Sequence, residues 1–267
     1  MKNFTLLFLS FFFNAMAAQV QLSDARSAGL GHLPVASLEA WSLFGNQAGL
    51  ADMHSPSIFV TASQPYLVNG LHEVAAGLVL PSKAGTFGLV LQRFGFSAYR
   101  QQKAGLAYGR FLSEVFLLGI QFDYFHTGLS NQESRHSFTF ELGILGKVSR
   151  DLELGLQLFN PTGRLMGGEA LALPVIYRQG LVWLISTKAL VSALVEKESG
   201  RKINMGLGFE YGLLPDLQLR AGFSISPPMM GIGIGYRPGK GLQVNAATRF
   251  HQLLGPTPSA ALCWSQP

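Results

Sequence analysis

The stretch Glu114-Val115-Phe116-Leu117-Leu118-Gly119-Ile120-Gln121-Phe122-Asp123-Tyr124-Phe125-His126 decides the fold. Its even positions Phe116, Leu118, Ile120, Phe122 and Tyr124 are all apolar, whereas its odd positions include Gly119, Gln121 and Asp123. A β-strand sends successive side chains to opposite faces, so one face here is apolar and the other carries the polar groups. A strand standing between lipid and the interior of a barrel needs that division. The same split returns in 136–146, with Phe138, Phe140, Leu142 and Ile144 against Ser137, Thr139, Glu141 and Gly143. It returns again in 203–211 and 216–226, where Met205, Leu207 and Phe209, then Leu217, Leu219 and Phe223, alternate with small or polar residues.

From about residue 57 onward the chain is a series of such segments, near 57–64, 73–80, 85–93, 102–111, 114–125, 136–146, 151–159, 175–186, 188–197, 203–211, 216–226, 228–236, 241–250 and 257–264. Each is about 8 to 12 residues, the reach of a strand crossing a bilayer at a tilt. The fold class expected is therefore all-β, a transmembrane antiparallel β-barrel of about 14 strands, an even number as bacterial single-chain barrels require. Links tend to alternate in length, although two outer links, Ser199 to Lys202 and Ser226-Pro227, are short. Pro81 to Ala84, Leu112-Ser113, Lys147 to Arg150, Thr187 and Arg237 to Lys240 are tight, while Pro65 to His72, His126 to Arg135 and Asn160 to Pro174 are longer. Short periplasmic turns and longer outer loops then place both chain ends on the periplasmic side. A soluble β-sandwich also has short regular strands, but its outward faces would be richly charged. Here the second face is mostly Gly, Ala, Ser, Gln and Asn.

Composition agrees. The 267-residue chain is 48% hydrophobic and only 13% charged, with a mean hydropathy of +0.26. Typical globular chains are about 25% charged, so much of this surface must face something other than water. Residues 1–18 read as a signal peptide: Lys2, an apolar run from Phe4 to Phe13, then small residues at Ala15, Ala17 and Ala18. Export and the barrel pattern together point to the cell outer membrane of a Gram-negative organism. The net charge of +5 would suit contact with anionic outer-membrane lipid, although scattered loop lysines are the simpler explanation. An exported chain without a basic cluster is not expected to bind nucleic acid. Cys263 is alone, so no internal disulfide framework exists.

Residues 19–56 do not alternate. They hold a short helical pattern from Ser37 to Phe44, and could form a plug or hatch in the lumen or a periplasmic cap ahead of a barrel spanning 57–267. This segment contains Asp24-Ala25-Arg26-Ser27-Ala28-Gly29-Leu30-Gly31, then Asn46-Gln47-Ala48-Gly49-Leu50-Ala51. The pair resembles the N-terminal signature of the PorV/PorQ family, FadL-like outer-membrane barrels of the Bacteroidota. Arg26, Gly29, Gly31, Asn46, Ala48, Gly49 and Leu50 carry the match. Gln47 stands where the family usually has Pro, a departure expected to loosen that turn. The resemblance implies an accessory or partner-binding subunit of a type IX-like secretion system or another outer-membrane complex. It equally implies, as the alternative, a FadL-like passive channel for hydrophobic small molecules. The partners expected are membrane lipid, another secretion or outer-membrane protein, and a hydrophobic ligand.

No catalytic, cofactor or metal site is expected, and the chain does not read as an enzyme. The six histidines are scattered without metal-ligand spacing, and His136 and Ser137, as strand neighbours, must point to opposite faces. Gly231-Ile232-Gly233-Ile234-Gly235 lacks the lysine and helix of a phosphate loop. Glycines also recur on the polar faces at Gly77, Gly88, Gly105, Gly119, Gly143 and Gly155, which fits either strand curvature, the simpler reading, or close approach of the N-terminal segment. The polar faces carry Glu73, Lys103, Asp123, Glu141, Glu153, Arg178, Glu196, Glu210, Arg220 and Arg249 as a candidate lumen lining. Mixed signs in a narrow interior predict internal salt bridges; solvated charges around an aqueous pore are the alternative.

Overall fold

A computed structural model of the chain describes residues 24–32, 39–130, 134–163 and 173–267. The signal peptide expected over 1–18 lies outside these residues, as do Ser37 and Leu38 of the helical pattern. Fourteen antiparallel strands form one closed barrel in sequence order. They are β1 Ser57–Ser63, β2 His72–Ser82, β3 Gly85–Gly95, β4 Tyr99–Phe111, β5 Phe116–Leu129, β6 Arg135–Lys147 and β7 Leu152–Phe159. The second half adds β8 Ile176–Ser186, β9 Ala189–Glu198, β10 Asn204–Leu214, β11 Leu217–Ile225, β12 Pro228–Gly239, β13 Leu242–His251 and β14 Gly255–Ser265. The seam joins β1 to β14 with Ile58 opposite Trp264 and Thr61 opposite Ala261.

Exposure follows the parity of the sequence. On β5, Phe122 is 60% exposed while its neighbours Gln121 and Asp123 are 0% and 2% exposed. The outward face is apolar strand after strand, with Leu89, Leu106, Phe138, Leu156, Leu207, Phe223 and Ile232 all exposed. A sandwich would bury these residues between sheets, and no second sheet is present among the described residues. Aromatic side chains are exposed at the strand ends: Trp183, Tyr211, Tyr236 and Trp264 at the end that carries the tight turns, Tyr177 and Phe250 at the opposite end. Such belts mark the two membrane interfaces.

One part of the wall is uneven. β7 pairs with β6 only from Glu141 opposite Phe159, so the outer half of β6 has no β7 partner. Asn160 ends β7 in the left-handed region (φ +50°), which Asn tolerates better than most residues. Its side chain donates to Leu173 O (2.8 Å) and accepts from Thr139 Oγ1 (3.0 Å). Beneath this bend Phe125, Phe159, Leu173 and Ile176 form a buried apolar cluster.

Candidate functional site: the barrel lumen and the segment inside it

The described part of the N-terminal segment packs against the inward faces of the strands. It forms α1 (Ala25–Gly29), then two 3-10 helices, η1 (Ala40–Phe44) and η2 (Gln47–Asp52). Asp24 caps α1 by accepting from Arg26 N (2.8 Å) and Ser27 N (3.0 Å). Asn46 caps η2 in the same way, accepting from Ala48 N at 3.1 Å.

Two rows of paired inward glycines receive this segment. Gly109, Gly119 and Gly143 lie side by side on β4, β5 and β6. A methyl group at Gly119 would lie 2.2 Å from Ala48 N, and one at Gly143 would lie 2.0 Å from Asn46 Oδ1. Across the barrel, Gly208, Gly222 and Gly231 form a second row on β10, β11 and β12. There a methyl at Gly222 would meet Leu30 C at 2.1 Å, and one at Gly231 would meet Ala28 O at 2.1 Å. Close approach of the N-terminal segment accounts for Gly109, Gly119, Gly143, Gly222 and Gly231, whereas Gly105 faces Asp123, Val90 and Gln121 of the wall itself. Gly88 faces Leu43 and Leu50, and Gly77 faces Phe59.

Polar contacts fix the η2 end. Asn46 donates through Nδ2 to Ile144 O (2.9 Å) and Leu156 O (3.0 Å). Gln47, fully buried, donates to Glu141 Oε2 at 3.0 Å. The expected loosening at Gln47 is therefore corrected: its amide is an anchor, where a proline would have none. Gln157 donates to Gly45 O (2.5 Å) and to Glu141 Oε2 (2.8 Å). Lys103 bridges Glu141 (2.8 Å) and Asp123 (3.1 Å) and stands over the rings of Phe125 and Phe159 at 5.7 and 6.0 Å. Lys147 pairs with Asp52 at 2.6 Å at the end of the barrel that carries the tight turns.

A second network holds α1. Arg26 reaches Glu39 and Glu210, both at 3.3 Å, and Arg220 pairs with Glu210 at 2.6 Å. Arg220 also donates to Asn245 Oδ1 at 2.7 Å, and Arg237 pairs with Glu39 at 3.1 Å. Burial alone would weaken the charge on Arg26, but the carboxylates of Glu39 and Glu210 outweigh it and raise its pKa. Between the networks lies an apolar core of Trp41, Leu43, Phe44, Leu50 and Phe59. Trp41 and Phe44 each stand 5.1 Å from the Phe59 ring.

The other lining residues named from the sequence are placed as follows. Arg178 pairs with Glu196 at 2.5 Å, and Glu73 accepts from Ser63 and Gln92 at 3.1 Å each. Glu153, on β7 opposite Lys147, and Arg249, on β13 opposite Gly231, are half-buried and make no ion pair among the described residues. Ala48 and Leu50 are fully buried in η2, Gly49 N donates to Asn46 O, and Gly29 packs on Gly233. Gly31 has φ +80°, a conformation glycine supplies without strain, where the chain leaves α1 against Phe223. Sequence reading missed Gln47, Gln121 and Gln157 as ligands of Glu141. Inward parity on β5 and β7 was the available signal for the last two. His136 is exposed on the lipid side and Ser137 is buried on the other, so they do not meet. Among the described residues no group of three His, Cys, Asp or Glu side chains is placed to hold a metal.

Cavities open at both mouths. One of about 590 Å³ lies at the end with the tight turns, between Ala51, Met53, Lys83 and Arg110, and one of about 380 Å³ lies at the opposite end beside Glu198, Lys202 and Pro227.

No family model matches the chain, and no curated relative matches it. Solved structures do share its fold. The toluene transporter TodX of Pseudomonas putida superposes with a TM-score of 0.72 at 12% identity, over 93% of this chain and 99% of that one. The toluene transporter TbuX of Ralstonia pickettii gives 0.68 at 11% identity over 93% and 99%. A FadL homologue of Pseudomonas aeruginosa gives 0.65 at 12% identity over 92% and 97%. The barrel has a FadL-like fold.

Proposed function

We propose that this chain is a FadL-like outer-membrane channel that passes a hydrophobic small molecule, with residues 19–56 as its hatch. The observation that carries this reading is the segment itself. It is seated in two wall troughs by close packing, hydrogen bonds and ion pairs, none of them covalent. Barrels of the same fold include transporters of toluene, an uncharged hydrocarbon, which supports an apolar cargo. In this reading 1–18 is a removed signal peptide, 57–267 is the wall, and the lumen charges hold the hatch closed. The test is uptake of toluene into vesicles carrying the full chain, alongside a chain lacking 24–56. Uptake above protein-free vesicles, increased by the deletion, is expected; toluene flux equal to the empty vesicles for both chains overturns the reading.

A second reading has its own observation. Paired charges and the N-terminal segment fill the described lumen, as a barrel needing no passage would allow. With the motif resemblance to PorV/PorQ proteins, that favours a partner-binding subunit of a secretion complex in a member of the Bacteroidota. Co-purification of a stable partner protein from native outer membranes, with no toluene flux, is its expected signature.

A further inference from the structure

The outward face is apolar almost everywhere, but not at the outer ends of β3 to β6. There the first outward residue beyond the apolar series is polar on four adjacent strands. Arg93 lies beyond Leu91, Gln102 beyond Ala104, His126 beyond Tyr124, and His136 beyond Phe138, each two residues along its own strand toward this end. The four are direct cross-strand partners: Arg93 with Gln102, Gln102 with His126, His126 with His136. Arg100 stands two residues beyond Gln102 on the same face, opposite Gly95 and Gly128, which offer no side chain to cover it.

The patch is pre-ordered. The Tyr124 hydroxyl lies 2.7 Å from His136 Nδ1, and His126 Nδ1 lies 3.2 Å from Gln102 Oε1. The two imidazoles sit 5.0 Å apart, and Tyr124 is tilted against Phe138 at 5.1 Å. With Nδ1 accepting from Tyr124, His136 presents Nε2 as a donor, and neither it nor the Gln102 NH2 meets an acceptor among the described residues. Arg93 and Arg100 are exposed, and no described carboxylate pairs with either. The described outward positions around them on β2 to β6 carry no acid at this end. Beside the patch, the equivalent outward position on β2 is His72; on β8 to β13 the corresponding positions are Tyr177, Lys197, Ile203, Ile225, Met230 and Phe250. Lys197 is the single cation among these six, and its ammonium already donates to Arg201 O.

Donors without acceptors among the described residues, two of them guanidiniums, sit at the edge of a surface that must be covered by acyl chains. Guanidinium binds phosphate through paired N–H groups, and basic clusters at this depth recognise anionic headgroups. We propose that the outer ends of β3 to β6 form a binding site for the phosphorylated headgroup of an outer-leaflet glycolipid. Arg93 and Arg100 hold the phosphate, Gln102 and His136 add donors, and Leu91, Tyr124 and Phe138 pack against the first part of the acyl chains. The site depends on the outer-membrane placement and on the orientation set by loop length. It is independent of what crosses the lumen.

The test uses the full chain folded in detergent micelles, with diphosphorylated lipid A as the probe and binding followed by native mass spectrometry. The wild type is expected to prefer diphosphorylated over dephosphorylated lipid A by about tenfold or more. R93Q/R100Q is expected to lose that preference. K188Q/K240Q, which removes the same charge from periplasmic turns, keeps it. Heat-modifiable gel migration reports that each variant is folded, and R93Q and R100Q alone give intermediate losses. The proposal is overturned by a wild type indifferent to the phosphates, or by equal losses in both double variants. It is also overturned if millimolar inorganic phosphate displaces the lipid completely, which would assign the patch to a soluble anion.

Discussion

Lys103 is one ammonium shared by two buried carboxylates, Asp123 and Glu141, and two aromatic rings. Removing it leaves two anions with too few partners in a dry interior. K103M is expected to cost about 3–5 kcal/mol, because breaking a buried pair strands the remaining charge. The triple variant K103M/D123N/E141Q should recover most of that loss, and urea titration in micelles compares the two. A triple variant no more stable than the single one would show that the charges are not coupled. Parity alone puts Lys103, Asp123 and Glu141 on the inner face, so this much is legible in the sequence. Their ligands are not. Gln47 and Glu141 are 94 residues apart and Gln157 and Gly45 are 112 apart, and no local pattern records such pairs.

At the level of elements, the strands are legible because lipid on one side and packed interior on the other enforce a period of two over eleven or more residues, as in β4 and β5. The glycine rows are less so. A glycine that lets a strand bend and one that lets another backbone approach look identical in sequence, and only the neighbouring atoms separate them. G119A is expected to cost about 1–3 kcal/mol, since its methyl would meet the backbone of η2 at 2.2 Å rather than a yielding side chain. Limited proteolysis should then cut within 24–56 while the barrel still migrates as folded. G146A is the matched control, because its methyl would meet the Phe116 ring at an ordinary 3.5 Å. Similar protease sensitivity in both variants would remove the trough from the account. Of the two 3-10 helices, Ala40–Phe44 falls within the helical pattern read over Ser37 to Phe44, whereas the six residues of Gln47–Asp52 are too few to show a period.

For the whole molecule, membrane placement makes a directional claim about the outward face. F122R puts a charge among the exposed apolar residues of β5 and is expected to cost about 2–4 kcal/mol near the bilayer midplane. L253R, at a turn residue already 83% exposed at the outer end, should be nearly neutral. Folding yield and urea midpoints in vesicles measure both, and equal costs would contradict the assigned depth. Strand number and closure follow from counting periods, which is why the barrel can be read before its coordinates. Cargo cannot be read in this way. Most polar side chains lining the described lumen bind one another or the N-terminal segment, so their identities report on how the interior is filled rather than on a cargo.

A fourteen-strand wall is also a thin elastic ring, and such a ring yields most easily by flattening into an oval. The N-terminal segment is seated on β4–β6 and again on β10–β12, six strands on around the fourteen and so close to a full diameter. The Arg26–Glu39 pair ties the two halves of this brace together. Flattening along the braced axis compresses the segment, and flattening at right angles to it pulls the two seats apart. The soft mode of the wall and the seating of the segment are therefore one mechanical coordinate. Spin labels replacing Leu118 and Leu219, on the braced axis, should show a narrower distance distribution than labels replacing Val60 and Leu181. Lateral tension in the surrounding membrane then becomes a force on a segment that no lipid touches.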